Sequence, residues 1–147
     1  MLSDHDLRVR PLTPSRWKYF DRLFGERGAC GGCWCMWWKV KRSEWDSQKG
    51  ETNRRAMRAY VDSGARPGLI AFAGREPVGW IAVEPRKNYP VLTRSRMLKT
   101  LDDAPVWSIT CFFVRRDFRN RGVARALIRA AVEHVARKKG RLVEAYP

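Results

Sequence analysis

The sequence has no apolar run near the roughly 18 residues that a membrane-spanning helix needs. Its opening stretch, Met1 to Arg10, alternates polar and charged residues and does not read as a signal peptide. A cytoplasmic protein without membrane contact is expected. Neither G-x-G-x-x-G nor G-x-x-x-x-G-K-[ST] occurs, which argues against a Rossmann or P-loop nucleotide site. No internal repeat or low-complexity tract is visible. Acidic residues are scarce: 15 against 30 basic ones, for a net charge of +15. That excess favours an anionic partner without choosing among small ligands, nucleic acid and charged surfaces. Cysteine and histidine are scarce too, at four and two. Three cysteines, Cys30, Cys33 and Cys35, fall at C-x-x-C-x-C, but no second C-x-x-C exists to complete a familiar zinc set.

What is present in strength is one continuous unit from Val106 to Lys139. Val106 to Val114 is β-branched, aromatic and free of charge, as a strand buried on both faces would be. The following turn, R-R-D-F-R-N-R-G-V-A, is basic and contains Gly122. Beyond it, the pairs Val123/Ala124, Leu127/Ile128, Ala131/Val132 and Val135/Ala136 recur every four residues and predict a helix with a broad apolar stripe. Arg137, Lys138 and Lys139 suit the negative end of its dipole, and Gly140 is a stop. Leu142, Val143 and Ala145 begin another strand. A helix start leaves backbone N–H groups unpaired and carries partial positive charge, so it suits phosphate. Gly122 and the small Ala124 allow close approach, and Arg116, Arg119, Arg121 and Arg125 add charge and forked donors. The ligand read from these residues is a diphosphate or a nucleotide carrying one. The competing reading is a solvated basic turn.

In these residues the chain resembles the GNAT superfamily of acyl-CoA-dependent N-acyltransferases. Their motif, Arg/Gln-x-x-Gly-x-Gly/Ala after a buried strand and opening a helix, stands here as Arg119-Asn120-Arg121-Gly122-Val123-Ala124. The wider form matches from Val114 to Ala124, with Arg116 where proline is common. The resemblance implies an α+β fold: a mixed, mostly antiparallel central sheet with a parallel strand–helix–strand cofactor unit. It implies acetyl-CoA as cosubstrate, with amides from Arg121 to Ala124 on the pyrophosphate and the strand edge at Phe112, Phe113 and Val114 along the pantetheine arm. Arg119, Asn120, Val123 and Arg125 complete the expected cofactor site. The family fold normally continues with another helix and two strands beyond the position of Pro147. One GNAT-like acyl-CoA-binding domain over 1–147, C-terminally incomplete, is therefore expected. Either the natural chain is longer, or a partner such as a second copy covers the exposed sheet edge.

The rest of the chain fits around that unit. Leu7 to Leu12 alternates as a half-exposed strand, and Thr13 or Ser15 caps a helix to Phe24. In the Gly/Cys/Trp stretch from Gly28 to Trp38, the expected role of Gly and Cys is tight packing. Trp34, Trp37 and Trp38 then wall a pocket that borders the acceptor cleft. A metal set and a reactive thiol at Cys35 are the competing readings. Asn53 is a cap for a helix through Ala56, Met57, Tyr60 and Val61 that ends at Ser63-Gly64, with Arg54, Arg55 and Arg58 on a solvated face. Leu69–Ala73 and Val78–Val83 are strands joined by a hairpin turn at 74–77. Residues 84–105, with Tyr89, form a long connection read as a flap beside the cleft.

The expected chemistry is direct acetyl transfer to a primary amine of a small molecule or peptide, with no metal and no covalent enzyme intermediate. Glu84 and Glu144 are the general-base candidates; Trp34, Cys35, Trp37 and Tyr89 are the acceptor-site candidates. Two other classes compete: a basic nucleic-acid-binding module using arginines and tryptophans, and a CoA-binding regulatory domain without catalysis.

Overall fold

The structure, a computed structural model, describes residues 2–3, 5–29, 31–100 and 104–145. Five strands, β1 (Leu7–Pro11), β2 (Gly68–Ala73), β3 (Glu76–Pro85), β4 (Trp107–Val114) and β5 (Val143–Ala145), form one sheet in chain order. The first four pair antiparallel; β5 pairs parallel to β4. Among the described residues five α-helices accompany them: α1 (Trp17–Phe24), α2 (Trp45–Gln48), α3 (Glu51–Asp62), α4 (Pro90–Arg94) and α5 (Val123–Arg137). The mixed sheet and the β4–turn–α5–β5 unit match the α+β expectation. Among the described residues no helix is long and apolar enough to cross a membrane.

Strand alternation divides the core in two. Ile70, Phe72, Trp80 and Ala82 face α1, α3 and the tryptophan-rich loop. Leu69, Ala71, Ile81 and Val83 face α5. The α5 stripe is narrower than its sequence pattern. Val123, Leu127, Ala131 and Val135 are buried, but their neighbours Ile128 and Val132 are 46% and 50% exposed. A single sheet face covers only one row of a helix, so the second residue of each pair turns outward. The expectation that β4 is buried on both faces also fails. Ser108 and Ile109 are buried, yet Phe112 is 41% exposed; among the described residues β5 accompanies β4 only from Trp107 to Ile109.

Several local readings also change. Neither Thr13 nor Ser15 caps the α1 backbone; their hydroxyls bond each other at 3.0 Å. Gly50, not Asn53, is the residue before α3. Asn53 is buried and donates to the carbonyls of Gly32 and Cys33 at 3.1 and 3.3 Å, which ties the Gly/Cys loop to the helix. A Cβ on Gly32 would stand 2.4 Å from the Gly50 nitrogen, so the loop needs glycine there. The hairpin turn is only Gly74-Arg75. Where the flap over 84–105 was expected, Glu84 and Pro85 extend β3, and Tyr89 and Leu92 are fully packed; residues 101–103 lie outside the described residues. Arg54 and Arg58 do lie on the outer side of α3, Arg54 in a two-pronged pair with Asp21 at 2.7 and 3.0 Å.

Gly79 is where β3 touches α5: an added Cβ would meet Val123 Cγ1 at 2.7 Å and Leu127 Cδ1 at 3.1 Å. Gly79→Ala should cost about 1–3 kcal/mol by overpacking, read as a lower urea midpoint. Buried His134 packs edge-on to Trp107 at 6.0 Å, and burial, then Lys138 and Arg137, lower its pKa from the usual 6.5. Its stabilising effect is present above the unfolded-state pKa and is lost as pH falls through the folded value. Urea midpoints should drop below about pH 6.5, and His134→Asn should flatten that slope.

Candidate active site

The turn before α5 is shaped by two left-handed residues, Asn120 at φ 61° and Gly122 at φ 89°. Such a reversal aims successive N–H groups to one side. Ala126 N–H makes the first helical bond, to the Gly122 carbonyl at 3.1 Å. The N–H groups from Gly122 to Arg125 therefore have no intrahelical acceptor. No acidic side chain stands in the first turn of α5. Arg119 Nε donates to the Val114 carbonyl at 3.1 Å and fixes the turn on the strand end. Val114, Arg119, Asn120, Gly122, Val123, Ala124 and Arg125 line one hollow of about 400 Å³ with Phe118. Arg121 does not line it; its guanidinium lies 5.1 Å from the Phe118 ring, and its carbonyl accepts from Leu2 N–H. Phe112 lies further up β4, and Phe113 packs against Phe24 at 5.7 Å.

Midway along β4 the ladder with β3 slips. Ala82 faces Cys111 and Val83 faces Ile109, so Thr110 is an extra residue, a bulge. The Thr110 carbonyl accepts from Trp38 Nε1 at 3.2 Å. On its other edge, β4 has no strand partner beyond Ile109 among the described residues. The open edge thus runs from the bulge to the hollow at the start of α5.

The two carboxylates singled out in the sequence lie in one row. Glu84 pairs with Ser108, and Ser108 with Glu144, across three neighbouring strands. Each is already engaged. Glu84 is 2% exposed and binds Lys39 Nζ at 2.8 Å, Tyr60 hydroxyl at 2.5 Å and Asn88 Nδ2 at 2.9 Å. The Lys39 ammonium also sits 4.5 Å from the centres of the Tyr60 and Tyr89 rings. Burial, then the bond to Glu84, pushes the Tyr60 hydroxyl well above its usual range. Glu144, with a side chain 27% exposed, accepts from Arg86 Nη1 at 2.6 Å and Ser108 Oγ at 2.7 Å. Of the pair, only Glu144 is open to water.

Of the acceptor-site residues, three are closed by their own packing. Trp34 lies among Trp17, Phe20 and Phe24, and Tyr89 is 1% exposed. Cys35 is buried and accepts from Trp80 Nε1 at 3.3 Å; its hydrogen bond with Cys111, then burial, pushes its thiol well above the usual range. That is the opposite of what a thiolate nucleophile needs. Only Trp37 reaches the surface, under the Arg42 guanidinium at 3.3 Å. Cys30 lies outside the described residues, and among those described no three His, Cys, Asp or Glu side chains stand together as a metal set. Lys39 and Arg86 were not singled out in the sequence; Tyr60 was read there only as a residue at helical spacing, and Trp38 only as a pocket wall. Ser108 and Thr110 left a trace there, as the two hydroxyls in an otherwise apolar strand.

The model of the acetyltransferase (GNAT) family matches residues 34–146. The chain belongs to this family. It is accordingly an acyltransferase. A search of curated proteins gave no match. Among solved structures it resembles the aminoglycoside N-acetyltransferase AAC(6')-Iy in complex with CoA, at 18% identity and a TM-score of 0.60, over 96% of this chain and 76% of that one. It also resembles an aminoglycoside acetyltransferase from an uncultured soil metagenomic sample in complex with trehalose (14%, TM-score 0.60, 98% and 79% covered). A third is the ribosomal-protein-alanine N-acetyltransferase of Brucella melitensis biovar Abortus 2308 (11%, TM-score 0.59, 96% and 79%). At these identities the likeness is one of fold.

The Lys39–Glu84 pair, with side chains 9% and 3% exposed, offers a test of how this acyltransferase holds its centre. Lys39→Met alone should cost about 3–5 kcal/mol by stranding a buried carboxylate. Lys39→Met with Glu84→Gln should cost clearly less than the two single changes added, in a urea double-mutant cycle.

Proposed function

We propose that the chain is one acyl-CoA-binding domain that moves an acetyl group from acetyl-CoA directly to a primary amine of a small molecule or peptide. The observation that carries this reading is the hollow at 119–125. It combines a left-handed Gly122, four N–H groups without helical acceptors, arginines at 119 and 125, and no carboxylate in the first turn. Those features suit a pyrophosphate. When bound, acetyl-CoA supplies an acetyl group already activated as a thioester. The chain's own residues do the rest. Amides from Gly122 to Arg125 bind the pyrophosphate, with Arg119 and Arg125 adding charge. The open backbone edge of β4 from Thr110 to Val114 offers donors and acceptors to an arm laid along it, and N–H groups there polarise a carbonyl.

The incoming ammonium must lose a proton. Glu144 takes that role through water, being the partly exposed member of the pair, while Arg86 and Ser108 hold its carboxylate in place. Glu84 keeps Lys39, Tyr60 and Asn88 in place beneath the bulge.

Ala124 is exposed on the first turn of α5, so a carboxylate fits there and suits the helix dipole. Ala124→Glu should therefore leave the fold intact and repel the pyrophosphate. Calorimetric titration near physiological salt should give one-to-one binding of acetyl-CoA, much weaker binding of ATP, and a loss of about tenfold or more, ~1.4 kcal/mol, in the variant. No acetyl-CoA binding to the unmodified chain would sink the reading.

A further inference from the structure

Cys35 and Cys111 come from distant parts of the chain to one point in the core. Cys35 lies in the tryptophan-rich loop, in left-handed backbone at φ 62°, and is buried. Its sulfur accepts the Trp80 indole N–H at 3.3 Å. Trp80 and Ala82 share one face of β3. Ala82 pairs with Cys111 of β4, and Cys111 packs against the cluster that holds Cys35, Trp80 and Ala82. The two thiols share a hydrogen bond, and both are free. Thiols this close need only small side-chain rotations to reach disulfide geometry.

The two sulfurs differ in access. Cys111 is half-buried, whereas Cys35 is closed off beneath the loop. A small polar oxidant therefore meets Cys111 first. Cys35 is held as a thiol by its bond to Cys111 and by burial, so it is no primary nucleophile. It needs only to meet a sulfur that has already been oxidised beside it. The reaction would join the loop to β4 one residue from the Thr110 bulge, whose carbonyl already accepts from Trp38 of the same loop.

We propose that Cys35 and Cys111 form a redox-active dithiol, a modification site that hydroperoxides close to a disulfide. The Cys111 thiolate attacks a peroxide oxygen. An S–O bond forms, the O–O bond breaks, and the leaving oxygen takes a proton to become water or an alcohol. The Cys35 sulfur then attacks the sulfenic sulfur. The S–S bond forms, the S–O bond breaks, and the departing hydroxide takes the Cys35 proton and leaves as water. The two thiols give up two electrons, and one hydroperoxide accepts both. A dithiol reductant reverses the step by exchange. None of this depends on which acyl group or amine the domain handles.

The test uses the whole folded chain, reduced, freed of reductant and treated with hydrogen peroxide in slight excess. Thiols counted in denaturant should fall from four to two, with the loss of two hydrogens from the intact mass. Dithiothreitol should restore both readings. A non-reducing peptide map should join the peptide that carries Cys111 to Cys35. Cys30→Ala with Cys33→Ala removes the neighbouring thiols, and this variant should still close its bridge. In that background Cys111→Ser, and separately Cys35→Ser, should abolish the loss of hydrogen. The bridge closes a ring from residue 35 to residue 111, so the oxidised chain should show a higher urea midpoint than the reduced one. Retention of all thiols under peroxide would overturn the proposal. So would a bridge from Cys111 to Cys30 or Cys33, oxidation that runs only to sulfinic or sulfonic acid, a bridge that forms only in urea, or a lower urea midpoint once the bridge is made. The peptide map needs no substitution, so it decides the matter even where a variant fails to fold.

Discussion

Every residue of β4 carries a backbone donor and acceptor that need partners. On one edge β3 pairs with it from Trp107 to Val114, except at the Thr110 bulge. On the other, among the described residues, β5 does so only from Trp107 to Ile109. The strand is thus positioned by its neighbours, while among the described residues its edge from Thr110 to Val114 has no strand partner. The bulge at Thr110 falls where the double support ends, and the Trp38 indole takes its carbonyl. The α5 turn sits where the strand itself ends. On the proposed reading, the unpaired stretch of strand edge and the hollow at its tip together suit a long, flexible ligand with a phosphate end. Neither feature alone would define such a ligand.

Holding that geometry requires charge to be buried, which is expensive unless paired. The chain pairs both. Lys39, from the tryptophan-rich loop, meets Glu84 from β3; Arg86, just past β3, meets Glu144 from β5. The two pairs tie the loop and the parallel strand to the same row of the sheet. This pairing also limits the chemistry. A carboxylate with three donors and almost no exposure is a strut; the one with partial exposure can still exchange protons with water.

Much of the fold was legible in the chain because local pattern and tertiary use agree there. The β4 composition, the αL-compatible Gly122 and the four-residue spacing in α5 all point the same way, and the structure uses them so. Several of the misreadings share a cause: they concerned which of two faces a neighbour would cover. Ile128 and Val132 look like core in periodicity, but the sheet has room for one row only. Trp34 and Cys35 look like pocket walls beside Trp37, yet the loop puts both in left-handed backbone, at φ 47° and 62°, and turns them inward. No period governs such a loop, so its side-chain directions are not encoded locally. Lys39 was invisible for a similar reason. Its partners, Tyr60, Glu84 and Tyr89, come from three separate elements, and a lysine beside tryptophans carries no signal of burial by itself.

The charge surplus also needs the structure to be interpreted. Net charge is +15, but most of that field is screened beyond ~8 Å at physiological salt, so local balance decides binding. Asp21, Glu51, Asp62, Glu76, Glu84, Asp117 and Glu144 are all spent on pairs within the chain. The basic residues outnumber these partners, and one place where they gather is the turn opening α5, whose first turn holds no acidic side chain. A small basic hollow lined by N–H groups without helical acceptors, rather than the net charge, is therefore what suits an anionic ligand in this chain.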